Sequence, residues 1–238
     1  MEHQQQAKVA LVLGGSRGIG AAIVERLAKD GAQVAFTYAA SPDQAAARVA
    51  TIQEQGGVAV ACQADSADAD QIKAAIDQTL ARFGRLDILV INAGVLRLGE
   101  VDRLSLDDFD RMVAVNVRGV FAAIHHAAPH LADGGRIVTI GSNSADRVGV
   151  PGGGAYAMTK AAVATLVRGA AIDLAPRAIT VNNVQPGPTT TDMTDGLVDF
   201  VRPMIPLGRM GETREIAGLV AYLVREEAAL HDRRQPDH

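Results

Sequence analysis

Short apolar runs alternate with longer, Ala-rich amphipathic stretches along almost all of this 238-residue chain. That alternation is the strongest constraint on its fold. A short apolar run bounded by polar residues or Gly reads as a strand buried on both faces. An amphipathic stretch of ten or more residues reads as a helix. Residues 7–13, 33–38, 58–62, 86–91, 136–140 and 179–184 are predicted strands. Residues 18–29, 42–55, 67–83, 105–131, 155–175 and 213–227 are predicted helices. Gly31 closes the first helix, and Ser41 and Pro42 cap and open the second. Gly119 and Pro129 bend or shorten the long fourth one. The pattern predicts an α/β, Rossmann-like, doubly wound parallel sheet with right-handed crossovers. Ligands in such a sheet bind at the carboxyl ends of the strands. No repeat or internal boundary is visible, so residues 1–238 read as one domain.

Composition narrows the function. The chain is 48% hydrophobic, enough for a large core, with a net charge of -4. No basic stripe with interleaved aromatics appears, which argues against nucleic acid as a partner. Cys62 is the single cysteine, so no internal disulfide forms; it sits in an apolar run and reads as core. The N-terminus has no signal-peptide layout, and no apolar run reaches the ~20 residues of a membrane helix. A cytoplasmic protein is expected. His125, His126 and His130 lie on one predicted helix without the carboxylate of a zinc-protease pattern, so no metal site is expected.

Gly14-Gly15-Ser16-Arg17-Gly18-Ile19-Gly20 follows the first strand and opens the first helix. Glycines permit the tight turn and the close approach of a pyrophosphate, and the helix N-terminus supplies free N–H groups. This is a dinucleotide site. Its selectivity is set near the end of the second strand. Thr37, Tyr38 and Ser41 offer hydroxyls there, Arg17 offers a cation, and no carboxylate stands before Asp43. That chemistry favours a 2′-phosphate and hence NADP over NAD.

Tyr156 and Lys160 are four residues apart on a predicted helix, so they share a face. A neighbouring ammonium favours phenolate and is expected to lower the Tyr156 pKa, fitting it for proton exchange with a substrate oxygen. Ser142 ends the fifth strand at the ligand edge, where its hydroxyl can bond a carbonyl.

The glycine loop followed by Tyr156-x-x-x-Lys160 resembles the short-chain dehydrogenase/reductase family, from about Lys8 to Glu227. The resemblance implies a catalytic group of Ser142, Tyr156, Lys160 and Asn116, with Asn116 anchoring a relay water. It implies cofactor contacts at Gly14, Gly18 and Gly20, and at Asp65 toward adenine. Further contacts are implied at Asn92-Ala93-Gly94, at Pro186-Gly187, and at Thr189 and Thr191. Lys160 would also hold the ribose hydroxyls. Leu13 stands where the family has a Thr that ties the loop down. Several stretches are similar to one subgroup, which includes 3-oxoacyl carrier-protein reductases and a cyclic-di-GMP-binding biofilm dispersal protein. The implied function is NADP(H)-dependent interconversion of a carbonyl and an alcohol. The alternative is a cyclic-di-GMP or other nucleotide-binding regulator with little turnover. Residues 188–209, with Met193, Leu197, Phe200, Val201, Met204 and Ile205, read as an apolar lid over a small-molecule substrate.

Residues 228–238 depart from the family, which places a last strand there. The tail is charged and reads as neither strand nor core. One codon choice for His231 to His238, shifted by a base, encodes Thr-Thr-Gly-Ala-Ser-Leu-Thr, which resembles that strand. The resemblance implies a homotetramer or dimer; the altered tail implies an uncovered sheet edge and weaker assembly.

Overall fold

The computed structural model describes residues 7–230. Its strands are β1 (Val9–Leu13), β2 (Gln33–Tyr38), β3 (Val58–Gln63), β4 (Leu86–Ile91), β5 (Leu131–Ile140) and β6 (Thr180–Val184). All pair in parallel, in the order β3-β2-β1-β4-β5-β6. The chain winds outward from β1 to β3, returns to the centre, and winds out again through β4 to β6. The direction reverses between β1 and β4, and the crevice for a ligand opens at that switch point.

The helices are α1 (Gly18–Lys29), α2 (Pro42–Glu54), α3 (Ala69–Phe83), α4 (Leu106–Val113), α5 (Gly119–Ala127), α6 (Gly154–Leu174), α7 (Val198–Val201) and α8 (Thr213–Leu223). Side chains alternate along each strand, so the sheet divides the interior in two. On one face Leu11, Leu13, Leu89 and Ile137 pack against Ile72 and Ile76 of α3, Val120 of α5 and Val167 of α6. On the other, Val12, Phe36, Val90 and Val138 pack against Val24 of α1, Ile52 of α2 and Val220 of α8. β1 and β4 are buried along their whole length, as strands covered on both faces must be.

Several predicted boundaries are corrected. The helix expected over 105–131 is three pieces: α4, a π-helical turn over Ala114–Arg118, and α5. The chain stays helical through Gly119, whose φ is -63°. Glycine is required there because a Cβ would lie 2.1 Å from the Ser66 carbonyl oxygen. β5 starts at Leu131, five residues before its expected start, because Leu131 pairs with Leu86 ahead of a bulge. Ser41 makes no side-chain cap bond to α2. α3 starts at Ala69, where Asp68 accepts from the amides of Asp70 and Gln71. α8 stops at Leu223, short of the expected 227. Among the described residues no strand covers the outer edge of β6. The part of the anomalous tail at 231–238 lies outside the described residues.

Candidate active site

The glycine loop is held from behind by its neighbours. The Gly14 amide donates to Thr37 Oγ1 at 2.9 Å, and the Gly15 amide donates to the Thr37 carbonyl at 2.9 Å. Asn92 Nδ2 donates to the Gly14 carbonyl at 2.7 Å. These bonds tie the loop to β2 and to Asn92 after β4. Gly14 and Gly18 have φ of +77° and +56°, which glycine adopts freely. A Cβ on Gly20 would stand 2.0 Å from the Gly14 carbonyl oxygen. The turn therefore closes only with glycine at that position, and α1 begins at Gly18 with its first N–H groups lacking intrahelical partners.

Beyond the loop, Tyr38 and Ser41 are half-buried at the end of β2, whereas Thr37 is 1% exposed. Both oxygens of Asp65 receive Arg111 Nη2 at 3.0 Å. Arg17 faces Asp192 across the mouth at 3.6 Å, both well exposed. The carboxylates beside this end of the crevice are thus each matched with an arginine.

At the other end, β5 delivers Ser142 and α6 delivers Tyr156 and Lys160. The Ser142 hydroxyl is a polar neighbour of the Tyr156 phenol and acts to hold its pKa down. It also accepts from the Ser144 amide at 3.1 Å. Lys160 Nζ donates to the Ile140 carbonyl at 3.1 Å and lies 5.6 Å from the centre of the Tyr156 ring. Burial pushes the Lys160 ammonium down to about 8. Burial also raises the Tyr156 pKa, with the Ser142 hydroxyl acting in the opposite direction. This overturns the expected lowering of Tyr156 in the protein by itself. Desolvation outweighs that hydroxyl, and the ammonium meant to favour phenolate is itself destabilised.

Asn116 sits in the π-helical turn, 1% exposed. Its Oδ1 accepts from the Val95 amide at 2.8 Å, and its Nδ2 donates to the Val95 carbonyl at 2.9 Å and to Thr159 Oγ1 at 3.1 Å. Thr159 in turn donates to the Tyr156 carbonyl at 2.7 Å. Asn116 thus links the wall at residues 94–96 to the helix that carries Tyr156. A Cβ on Gly94 would be 3.5 Å from both Asn116 Oδ1 and Lys160 Nζ, so these two polar atoms flank one small space.

One cavity of about 1020 Å³ joins the two ends. It gathers Gly14, Ser16, Arg17, Gly18 and Ile19 of the loop with Thr37, Tyr38, Ser41 and Asp65. Asn92, Ala93, Gly94, Ser142, Tyr156 and Lys160 line it too, with Pro186, Gly187, Thr189 and Thr191. Of the predicted site residues only Gly20 and Asn116 stand behind the wall. Thr194, which the sequence reading missed, accepts from the Thr191 amide at 3.0 Å and donates to the Thr189 carbonyl at 2.7 Å. All six apolar lid residues line the cavity; Leu197, Phe200, Val201 and Met204 lie on α7 and two flanking 3₁₀ turns, and Met193 and Ile205 lie just outside them. Arg111, Asn143 and Arg147 were also missed, because nothing near them in the sequence marks them as site residues.

The sequence pattern described as enoyl-(acyl carrier protein) reductase matches residues 14–231. The cyclic-di-GMP-binding biofilm dispersal mediator protein of Escherichia coli K12 is 46% identical, over 93% of this chain and 91% of its own. The 3-oxoacyl-[acyl-carrier-protein] reductase of Staphylococcus aureus Mu50 is 41% identical, over 94% of this chain and 93% of its own. A short-chain dehydrogenase from Burkholderia cenocepacia J2315, solved in complex with NADP, is 49% identical. It superposes with a TM-score of 0.93, covering 97% of this chain and 95% of its own. A glycine cradle and a Ser–Tyr–Lys cluster at opposite ends of one crevice, matched over nearly all of the chain by these relatives, place it in the short-chain dehydrogenase/reductase family of oxidoreductases.

Proposed function

We propose that this chain interconverts a carbonyl and an alcohol with NADP(H), using Tyr156 to exchange the proton. The residues present fit the cofactor. Gly14 and Gly18 line the cavity at the turn that Gly20 lets close, Arg17, Tyr38 and Ser41 suit a 2′-phosphate, and no acid ends β2. The relative from Burkholderia cenocepacia is known with NADP. In this reading Asp65 contacts adenine, and Thr189 and Thr191 the carboxamide end. When bound, the nicotinamide supplies or accepts the hydride. Ser142 Oγ holds the substrate oxygen, and the Tyr156 phenol passes it a proton or takes one back. Lys160 holds the ribose hydroxyls and, while charged, eases loss of the phenolic proton. Asn116 Oδ1 and Lys160 Nζ flank a space suited to a relay water.

The observation that carries this reading is the half-buried Tyr156 phenol on the cavity wall with Ser142 nearby and Lys160 beside its ring. Tyr156→Phe removes one oxygen and little else. It is expected to lower kcat for NADPH-dependent ketone reduction about 10³-fold while NADPH binding persists. Retention of full turnover in that variant refutes the reading. NADPH is also expected to bind at least ~10-fold tighter than NADH in a fluorescence titration, and Arg17→Ala to shrink that gap. A nucleotide-binding role with little turnover is the weaker reading, since it leaves the Ser142–Tyr156–Lys160 cluster without a task.

A further inference from the structure

We propose that Arg147 selects a substrate with an anionic group on an apolar body, a keto acid rather than a neutral ketone. The proposal rests on the reductase reading and names the substrate class for that site. Three arginines and two aspartates line the cavity. Arg17 is paired with Asp192, and Arg111 is paired with Asp65. Arg147 is left over: among the described residues its guanidinium has no ion-pair partner, and its side chain is exposed. Its position is not the cofactor's. Arg147 follows Ser142 on the segment that leads into α6, where its backbone amide donates to the Asn143 carbonyl at 3.4 Å. Val148 and Val150 of the same segment line the cavity, as do Leu98, Met193, Phe200 and Met204. This half of the crevice thus has apolar walls around the Ser142–Tyr156–Lys160 group, and Arg147 is its one arginine without an acidic partner among the described residues.

A guanidinium matches a carboxylate or phosphate in two parallel bonds, and its attraction is strongest where no protein acid competes. The apolar walls take the rest of the molecule by burial. A neutral ketone uses the walls and leaves the cation idle. A keto acid uses both. The same chemistry admits a carboxylate or a phosphate ester, and separate substrates tell these apart.

The test compares a medium-chain keto acid, its methyl ester and a keto phosphate of similar length, in wild type and Arg147→Gln, by NADPH oxidation. Wild type is expected to favour a charged compound over the ester at least ~10-fold in kcat/KM, through KM. Arg147→Gln is expected to lose that preference while its rate on the ester stays within ~2-fold. A calorimetric titration of NADP-loaded protein with decanoate and with 1-decanol gives a readout free of turnover: the acid is expected to bind more tightly, and only when Arg147 is present. Equal use of acid and ester by wild type, or a preference that survives Arg147→Gln, overturns the proposal and leaves the reductase reading intact. Failure to reduce any of the three compounds, with no Arg147-dependent binding of decanoate, overturns it too. If cyclic-di-GMP binds the loaded protein through Arg147 while decanoate does not, the apolar acid is likewise excluded.

Discussion

Lys160 shows what a single buried residue gives up for chemistry. Its side chain is 6% exposed, and its pKa stands at about 8 against 10.5 for the free group. Between those values the unfolded chain binds the extra proton and the folded chain does not, so stability rises with pH across that window. Below pH 8 the penalty is complete, with an upper bound of ~3 kcal/mol. Lys160→Met keeps the length of the side chain and removes the charge, but it strands the Ile140 carbonyl, which offsets ~1 kcal/mol. The variant is expected to be inactive yet more stable at pH 7 by ~1–2 kcal/mol in urea denaturation, and the gain should shrink above pH 8. Destabilisation at pH 7 would show that the ammonium is better solvated than its burial implies. Tyr156, Lys160 and Ser142 were all legible in the sequence, because their spacing and order form a pattern. The upward shift of Tyr156 was not. Its sign depends on how much water the fold removes, and no local spacing records that.

At the scale of elements, the glycine loop depends on a strand it does not belong to. Thr37 of β2 has its hydroxyl turned onto the Gly14 amide. Thr37→Val keeps the shape and leaves that amide with nothing to donate to, which costs ~1–3 kcal/mol if it stays buried. The expected result is weaker NADPH binding by titration with kcat nearly unchanged. A drop in kcat at unaltered affinity would contradict a purely supporting role. Six strands and most helices were legible, because burial on two faces imposes continuous apolar runs and burial on one imposes a stripe. The π-helical turn was not legible. Its composition, Ala-Val-Asn-Val-Arg, suits an α-helix equally well, and its wider turn comes with Asn116 reaching the Val95 backbone. The early start of β5 was hidden for a similar reason: Asp133, Gly134 and Gly135 look like a loop, and only Leu86 across the sheet recruits Leu131 as a pair.

In the whole molecule, the site is a meeting of segments that are distant in the chain. Arg17 and Asp192 pair across the mouth, as do Arg111 and Asp65 beyond the end of β3, and neither pairing has a sequence signature. Arg147 stands out only after both are known. The sheet itself has a further consequence. Its two cores share no side chain: Ile76 belongs to one and Val220 to the other. Ile76→Val and Val220→Ala should each weaken the fold by ~1–2 kcal/mol, and the double variant by their sum within ~0.5 kcal/mol, measured by denaturant midpoints. A larger discrepancy would mean that strain crosses the strands. If the sum holds, the protein evolves as two compartments back to back: drift in one layer needs no repair in the other, and the crevice along their shared rim is the place where both histories must agree.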